Sequence, residues 1–141
     1  MATFNASRIG GPAVPAGIGD GQGLKAAVVE YTVAAALQAS DVIVSPTLQK
    51  GSVVLDVILV ATDLDTNVAP DITLDVGPAS DPDGIIDGST VGQAGGVARG
   101  AAAPITLTAN EPINVTVAVG PATGATSGKV SLTVLFLPPN S

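Results

Sequence analysis

The sequence contains no histidine and no cysteine, and these two absences remove most catalytic and metal sites from consideration. Without them the chain cannot form a Ser-His-Asp or Cys-His catalytic site, a zinc site, an iron–sulfur site or a disulfide bond. Aromatic residues are also scarce, because Trp is missing and only Phe4, Tyr31 and Phe136 are present. The hydrophobic core must therefore consist mainly of small and branched aliphatic side chains.

Basic residues are few and widely separated along the chain. Five Lys and Arg stand against twelve Asp and Glu, which gives a formal net charge of −7 and a pI near 4.1. Nucleic acids and anionic membrane surfaces are bound by clustered basic residues, so neither is predicted as a partner. No apolar run approaches the ~20 residues of a transmembrane helix, and residues 1–10 lack the apolar core of a signal peptide. We therefore expect a soluble protein made in the cytoplasm.

Glycine and proline are concentrated in the first 23 residues, where they prevent helices and strands from propagating. The sequence predicts an extended arm at residues 1–23, followed by a single β-sandwich domain at residues 24–141. Two interpretations of the arm remain open. It is either a frayed terminus, or a segment that orders on a partner through Phe4 and Ile9, with Arg8 available to pair with a carboxylate.

Beyond the arm, Val, Ile and Thr dominate short runs that are separated by Gly, Pro, Asn and Asp. Alternation of apolar and polar residues is clearest at 113–119 and 129–137. The segment 90–103, rich in Gly and Ala, is predicted to be a long loop between two sheets. Short strands without intervening helices predict an all-β fold, a two-sheet antiparallel sandwich and specifically an eight-stranded jelly roll. The eight predicted strands are residues 28–35, 41–45, 52–62, 71–76, 85–88, 104–108, 113–119 and 129–137.

No residue pattern points to catalysis or to a bound cofactor. Residues 81–88, Asp-Pro-Asp-Gly-Ile-Ile-Asp-Gly, are superficially similar to a calcium loop but lack its ligand spacing and its closing Glu. A turn is the favoured interpretation there, with a weak cation site as the alternative. Carboxylate pairs could serve glycoside hydrolysis, but the aromatic platforms and polar pockets that usually accompany them are missing. No glycine motif for nucleotides is present. We predict that the protein is not an enzyme and has no catalytic, cofactor or metal site.

Several segments resemble small head proteins of tailed bacteriophages. The resemblance spans residues 34–139 and is carried by residues 48–57, 63–65, 72–77, 86–90, Ala94-Gly95 and 124–138. It implies a jelly-roll head decoration, or cement, protein of the virion that coats the outer capsid surface and clamps neighbouring major capsid subunits. It also implies synthesis in the bacterial host. The arm lies outside the resemblance, so a capsid contact through Phe4, Arg8 and Ile9 rests on composition. A receptor- or carbohydrate-binding jelly-roll module of a virion fibre is the alternative.

Self-association is predicted from apolar residues that the sandwich core does not need. Residues 53–60 are apolar on both faces, and Leu135 and Leu137 lie opposite the core face of the last strand. Their pattern predicts a homo-oligomer. A dimer is favoured because it is the commonest symmetric solution, and a trimer is the alternative.

Overall fold

A computed structural model describes residues 23–100 and 104–139 of the chain. This part folds into ten β-strands and one short 3-10 helix at Val91–Gln93. Within it, no helix has the length and apolar character needed to cross a membrane. The strands are β1 (Lys25–Thr32), β2 (Val42–Ile43), β3 (Thr47–Leu48), β4 (Val53–Ala61), β5 (Thr73–Pro78), β6 (Ile86–Ser89), β7 (Gly96–Arg99), β8 (Ile105–Thr106), β9 (Glu111–Val119) and β10 (Lys129–Leu137).

The strands form two antiparallel sheets. Sheet 1 has the order β1-β10-β4-β7, with β8 also paired to β4, and sheet 2 has the order β2-β9-β5-β6, with β3 also paired to β9. β1 and β10 pair continuously from Lys25 opposite Phe136 to Thr32 opposite Lys129. Sheet 1 therefore joins the first and last strands of the described chain.

This strand order is that of a jelly roll. β2 and β3 pair with successive parts of β9, and β7 and β8 pair with successive parts of β4, so each of these couples occupies one strand position. Pro46 separates β2 from β3 because it has no N–H to donate to a ladder. Counted by position, the first strand pairs with the eighth, the second with the seventh, the third with the sixth and the fourth with the fifth. The predicted all-β jelly-roll sandwich is confirmed.

The core lies between the sheets and is aliphatic. Alternation places Ile113, Val115 and Val117 of β9 in the interior, as predicted, whereas Val119 at the end of the strand is half exposed. The largest fully buried side chains are Leu59, Leu64, Ile72, Leu74, Ile113 and Leu132. Phe136 packs against this cluster only in part, so the core is built almost entirely from Val, Leu and Ile.

The prediction of one long loop at residues 90–103 is wrong. Val91–Gln93 forms the 3-10 helix and Gly96–Arg99 forms β7, which pairs with Ile58–Ala61 of β4. Val97 is the only β-branched residue of β7, so this strand depends on its tertiary partner rather than on local propensity. The segment does connect sheet 2 to sheet 1, as expected of a crossing segment.

Other strand boundaries also differ from the prediction. The strand expected at 28–35 begins and ends three residues earlier, at Lys25–Thr32. The run expected at 41–45 is paired only at Val42–Ile43, and the run expected at 104–108 only at Ile105–Thr106. In each case the pairing partner, and not the extent of the apolar run, determines where the strand ends.

Candidate interaction surface

The outward side chains of sheet 1 form a continuous surface, which we call the sheet 1 outer face. Two rows of cross-strand neighbours define it. One row runs Val28, Thr133, Ile58, Arg99 and the other Glu30, Ser131, Val60, Val97, across β1, β10, β4 and β7. A third row adds Leu135 beside Asp56.

Much of this face is apolar and accessible. Val28 and Val97 are each 64% exposed and Val60 is 39% exposed, while Ile58 and Leu135 are half-buried. Isolated exposed aliphatic residues are ordinary on protein surfaces, but contiguous apolar groups on one sheet face are typical of interaction sites. The sheet 1 outer face is therefore the candidate interaction surface.

The charges on this face compensate one another. Arg99 of β7 forms an ion pair with Asp56 of β4, and Lys129 Nζ lies 3.1 Å from Glu30 Oε1. The hydrogen bond from Arg99 lowers the pKa of Asp56, although burial acts in the opposite direction. Both carboxylates thus have a cationic neighbour, and the face is nearly neutral in a chain of net charge −7. A neutral apolar face can be covered by another protein without leaving a buried charge unpaired.

The residues predicted to mediate self-association lie on or next to this face. On β4 the inward Val57 and Leu59 are fully buried, but the outward side of the strand is only partly covered. Leu135 and Leu137, expected to be exposed, are both half-buried by their neighbours. Within one chain, β4 is therefore buried on both faces only at Val53 and Val54, and from Val57 onward on its inner face alone.

The outward face of sheet 2 is more polar. Thr116 of β9 lies between Val42 of β2 and Asp75 of β5. The Asp75 carboxylate accepts a hydrogen bond of 2.7 Å from the backbone N–H of Gly88, and Asp87 is exposed nearby. The strands of sheet 2 contain no Lys or Arg. The two faces of the sandwich consequently offer different chemistry to a partner.

At one end of the sandwich, a buried carboxylate organises the loops that leave β4 and β9. Asp65 is 1% exposed. It accepts backbone N–H groups from Asp71 at 2.7 Å, Ala122 at 2.8 Å and Thr123 at 2.9 Å, with longer hydrogen bonds from Asn67 and Ile72. No local pattern indicates this role, because most of the donors to Asp65 are distant in sequence.

The ionised form of Asp65 is strongly favoured. Burial would raise its pKa, but the backbone N–H groups of Thr123, Asp71, Ala122 and Asn67 outweigh this effect and hold the pKa well below the usual range. The carboxylate therefore stabilises the two loops in its charged form. Its donors are all backbone groups, so its role is structural rather than catalytic.

The calcium-like segment forms a tight turn. Gly84 N–H donates to Asp81 O at 3.0 Å, and the side-chain hydrogen bond with Asp83 raises the pKa of Asp81. In the part of the chain that the structure describes, no three His, Cys, Asp or Glu residues converge as metal ligands. The segment thus forms the turn that the sequence predicts.

Three of the predicted site residues cannot be placed. Phe4, Arg8 and Ile9, expected to contact the capsid, lie outside the described residues. The same is true of nearly all of the predicted arm, of which only Gly23 is described. These contacts stay predictions.

Several solved structures are similar to this chain, and three of them are from phage capsids. A chain of the cyanophage Pam1 capsid asymmetric unit is 32% identical, with a TM-score of 0.81, and the similarity covers 99% of this chain and 100% of that one. A chain of the capsid of Ralstonia phage GP4 is 35% identical, with a TM-score of 0.72 and coverage of 91% and 90%. A chain from the acidic stable capsid structure of Helicobacter pylori bacteriophage KHP30 is 16% identical with a TM-score of 0.63, which shows the fold alone.

Neither a protein-family model nor a curated protein matches the sequence. The two relatives above 30% identity match over nearly their whole length. Both come from assembled phage capsids, and the predicted resemblance to a phage head protein is confirmed at that level. The chain belongs to a family of phage capsid proteins and is a structural component of the virion.

Proposed function

We propose that this capsid protein decorates the outer surface of the phage head and cements neighbouring major capsid subunits. The observation that carries the proposal is the similarity of this small sandwich, over nearly its whole length, to chains of two phage capsids. A small protein that binds only the assembled lattice stabilises that lattice by mass action. Each bound copy adds contacts that must break before the shell ruptures.

The composition supports this role. A net charge of −7 keeps free copies apart and soluble before assembly. The lack of cysteine removes any dependence on the redox state of the surroundings. Such a chain can accumulate in the host cytoplasm and then bind to the shell in many copies.

Self-association is part of the proposal. We infer that the sheet 1 outer face, including Leu135, contacts another copy, because Val28, Val60 and Val97 remain accessible in one chain. A dimer is the simplest symmetric arrangement, and a trimer is the alternative. The arm extends the same role, because a segment with anchors at Phe4, Arg8 and Ile9 can reach across a subunit boundary of the shell.

Stoichiometry and accessibility in purified virions test the outer position. We expect a copy number comparable to that of the major capsid protein, and we expect a Cys introduced by Asp87→Cys to react with a membrane-impermeant maleimide on intact heads. Asp87 is exposed on sheet 2, the face directed away from the proposed contacts. A trace copy number, or labelling only after the heads are opened, would contradict the proposal.

A further inference from the structure

An open groove separates the free edges of the two sheets. Its volume is about 420 Å³, and it lies between Val29–Tyr31 of β1 and residues 41–44 around β2. Its apolar lining residues are Val29, Tyr31, Leu37, Val42, Ile43 and Val44. Leu37 and Ile43 are buried at its base, whereas Val42 and Val44 are 47% and 62% exposed. The groove thus combines an apolar floor with an accessible apolar wall.

One side of the groove is an unpaired strand edge. Within the described residues, β1 pairs only with β10 and β2 pairs only with β9, so both strands end their sheets on the groove side. β1 is eight residues long and contains no proline. An uncovered edge strand of this length presents a row of unpaired N–H and C=O groups that can pair with another chain. Addition of an extended segment to such an edge is a common mode of peptide recognition.

The charge of the lining specifies the occupant further. Glu30 and Asp41 line the groove, and no Lys or Arg lines it among the described residues. Glu30 forms an ion pair with Lys129, and the Asp41 carboxylate accepts a hydrogen bond of 2.8 Å from the backbone N–H of Gln38. Both carboxylates nevertheless lie on the exposed rim of the groove. An extended segment with apolar side chains and a cation would complement this lining.

The chain itself contains such a segment. Residues 1–9 include Phe4, Ile9 and the cation Arg8, and they contain no Gly, Pro or acidic residue. In an extended strand Ile9 lies on one side and Arg8 and Phe4 on the other, so Ile9 can face the groove while Arg8 lies on the side of Glu30. Residues 10–23 follow, with six Gly and two Pro. A linker of this length spans roughly 45 Å when extended. The first segment can therefore form a strand at a distance from the sandwich to which it belongs.

The order of residues in the arm favours binding to another copy over return to the same chain. A reversal at Asp20-Gly21, a dipeptide typical of tight hairpins, would set residues 9–16 opposite β1. That stretch contains Pro12 and Pro15, which are three residues apart and so face opposite sides of a strand. One of them would direct its nitrogen, which has no hydrogen, toward β1. Phe4 would then lie beyond the end of β1.

We propose that the groove between β1 and β2 binds residues 3–9 of a neighbouring copy, added as a strand beside β1. This inference rests on the proposed function, because it names the subunit that receives the arm on the decorated shell. Each copy would donate one segment and accept another, so decorating copies would link to each other in addition to the capsid beneath them.

The absence of cysteine permits a direct test in full-length protein. An unlabelled Ile9→Cys chain is mixed with a 15N-labelled Val44→Cys chain under mild oxidation, and mass spectrometry quantifies the mixed disulfide. The matched control receiver is Val68→Cys, because Val68 lies outside the groove and is 103% exposed. We expect the Ile9–Val44 disulfide to exceed the Ile9–Val68 disulfide at least about tenfold, since docking raises the local concentration of the two thiols.

Equal yields for the two receivers would overturn the proposal. So would a double variant, Ile9→Cys with Val44→Cys, that closes only within one chain. A second comparison tests the charge argument: Arg8→Glu in the donor should reduce the Ile9–Val44 yield, and Lys50→Glu should not. These measurements use no heads. Cross-linking without decoration of heads would refute the proposed function alone, and decoration without cross-linking would refute the groove alone.

Discussion

A single substitution on the sheet 1 outer face tests whether that face holds two copies together. Val28→Ser removes an apolar side chain that is 64% exposed on β1 and does not contribute to the core. Surface changes of this kind usually alter the free energy of unfolding by less than about 0.5 kcal/mol. The variant should therefore fold normally while it loses affinity for its partner.

The expected size of the effect follows from the exposed fraction. Full burial of a valine side chain stabilises by roughly 1.5–3 kcal/mol, and 64% of Val28 remains to be covered by a partner. Complete coverage would thus contribute about 1–2 kcal/mol for each buried copy of the side chain. Loss of one copy of the side chain corresponds to a dissociation constant about 5 to 30 times larger, and loss of both copies in a symmetric dimer to one about 25 to 900 times larger.

Sedimentation velocity over a range of protein concentrations measures this change. Val68→Ser is the matched control, because it makes the same chemical change at a residue that is 103% exposed and outside the face. Chemical denaturation of both variants checks that folding is intact. Equal dissociation constants for Val28→Ser and Val68→Ser, or a wild-type chain that stays monomeric at every concentration, would refute the reasoning.

Three further predictions concern the stability of the sandwich. Leu59→Ala should lower the free energy of unfolding by about 2–5 kcal/mol, because Leu59 is fully buried. Val60→Ala, on the other face of β4, should lower it much less, and denaturant titration measures both free energies. Asp65→Asn should lower the stability of the chain at neutral pH, and the difference in unfolding temperature from wild type should shrink below pH 3.8. A carboxylate whose pKa is lowered by folding contributes its full stabilisation above its ordinary pKa, and this stabilisation is lost on acidification. Gly77→Ala should cost about 1–3 kcal/mol in the same denaturant titration, because a Cβ atom there would collide with the backbone at Asp81 and Gly84; wild-type stability would show that the turn at 81–84 yields.

The parts of the fold that the sequence predicts well are those in which alternation and burial agree. Ile113, Val115 and Val117 of β9 and Val130, Leu132 and Val134 of β10 are all buried, so these core residues could be assigned from period alone. Period did not predict the burial of Glu111 and Asn114 in β9. β7 could not be assigned in this way, because Gly96-Val97-Ala98-Arg99 has little strand propensity and is held by β4. β3 was missed for a related reason, since Pro46 ends the preceding run.

The candidate surface was only partly predictable. Leu135 and the apolar strand β4 indicated a contact, but Val28 and Val97 join them only through the pairing of β1 and β7 with their neighbours. The groove between β1 and β2 depends on the packing of two sheet edges, which no local pattern encodes. Asp65 shows the same limit, because its donors come from residues near 71 and 122.

The most direct test of the proposed function is the thermal release of DNA from heads assembled with and without this protein. A dye that fluoresces on free DNA reports the temperature at which heads open. We predict that heads lacking the protein assemble but release DNA at a lower temperature, and that added purified protein restores the wild-type value. Heads that release DNA at the same temperature in all three states would contradict a cementing role.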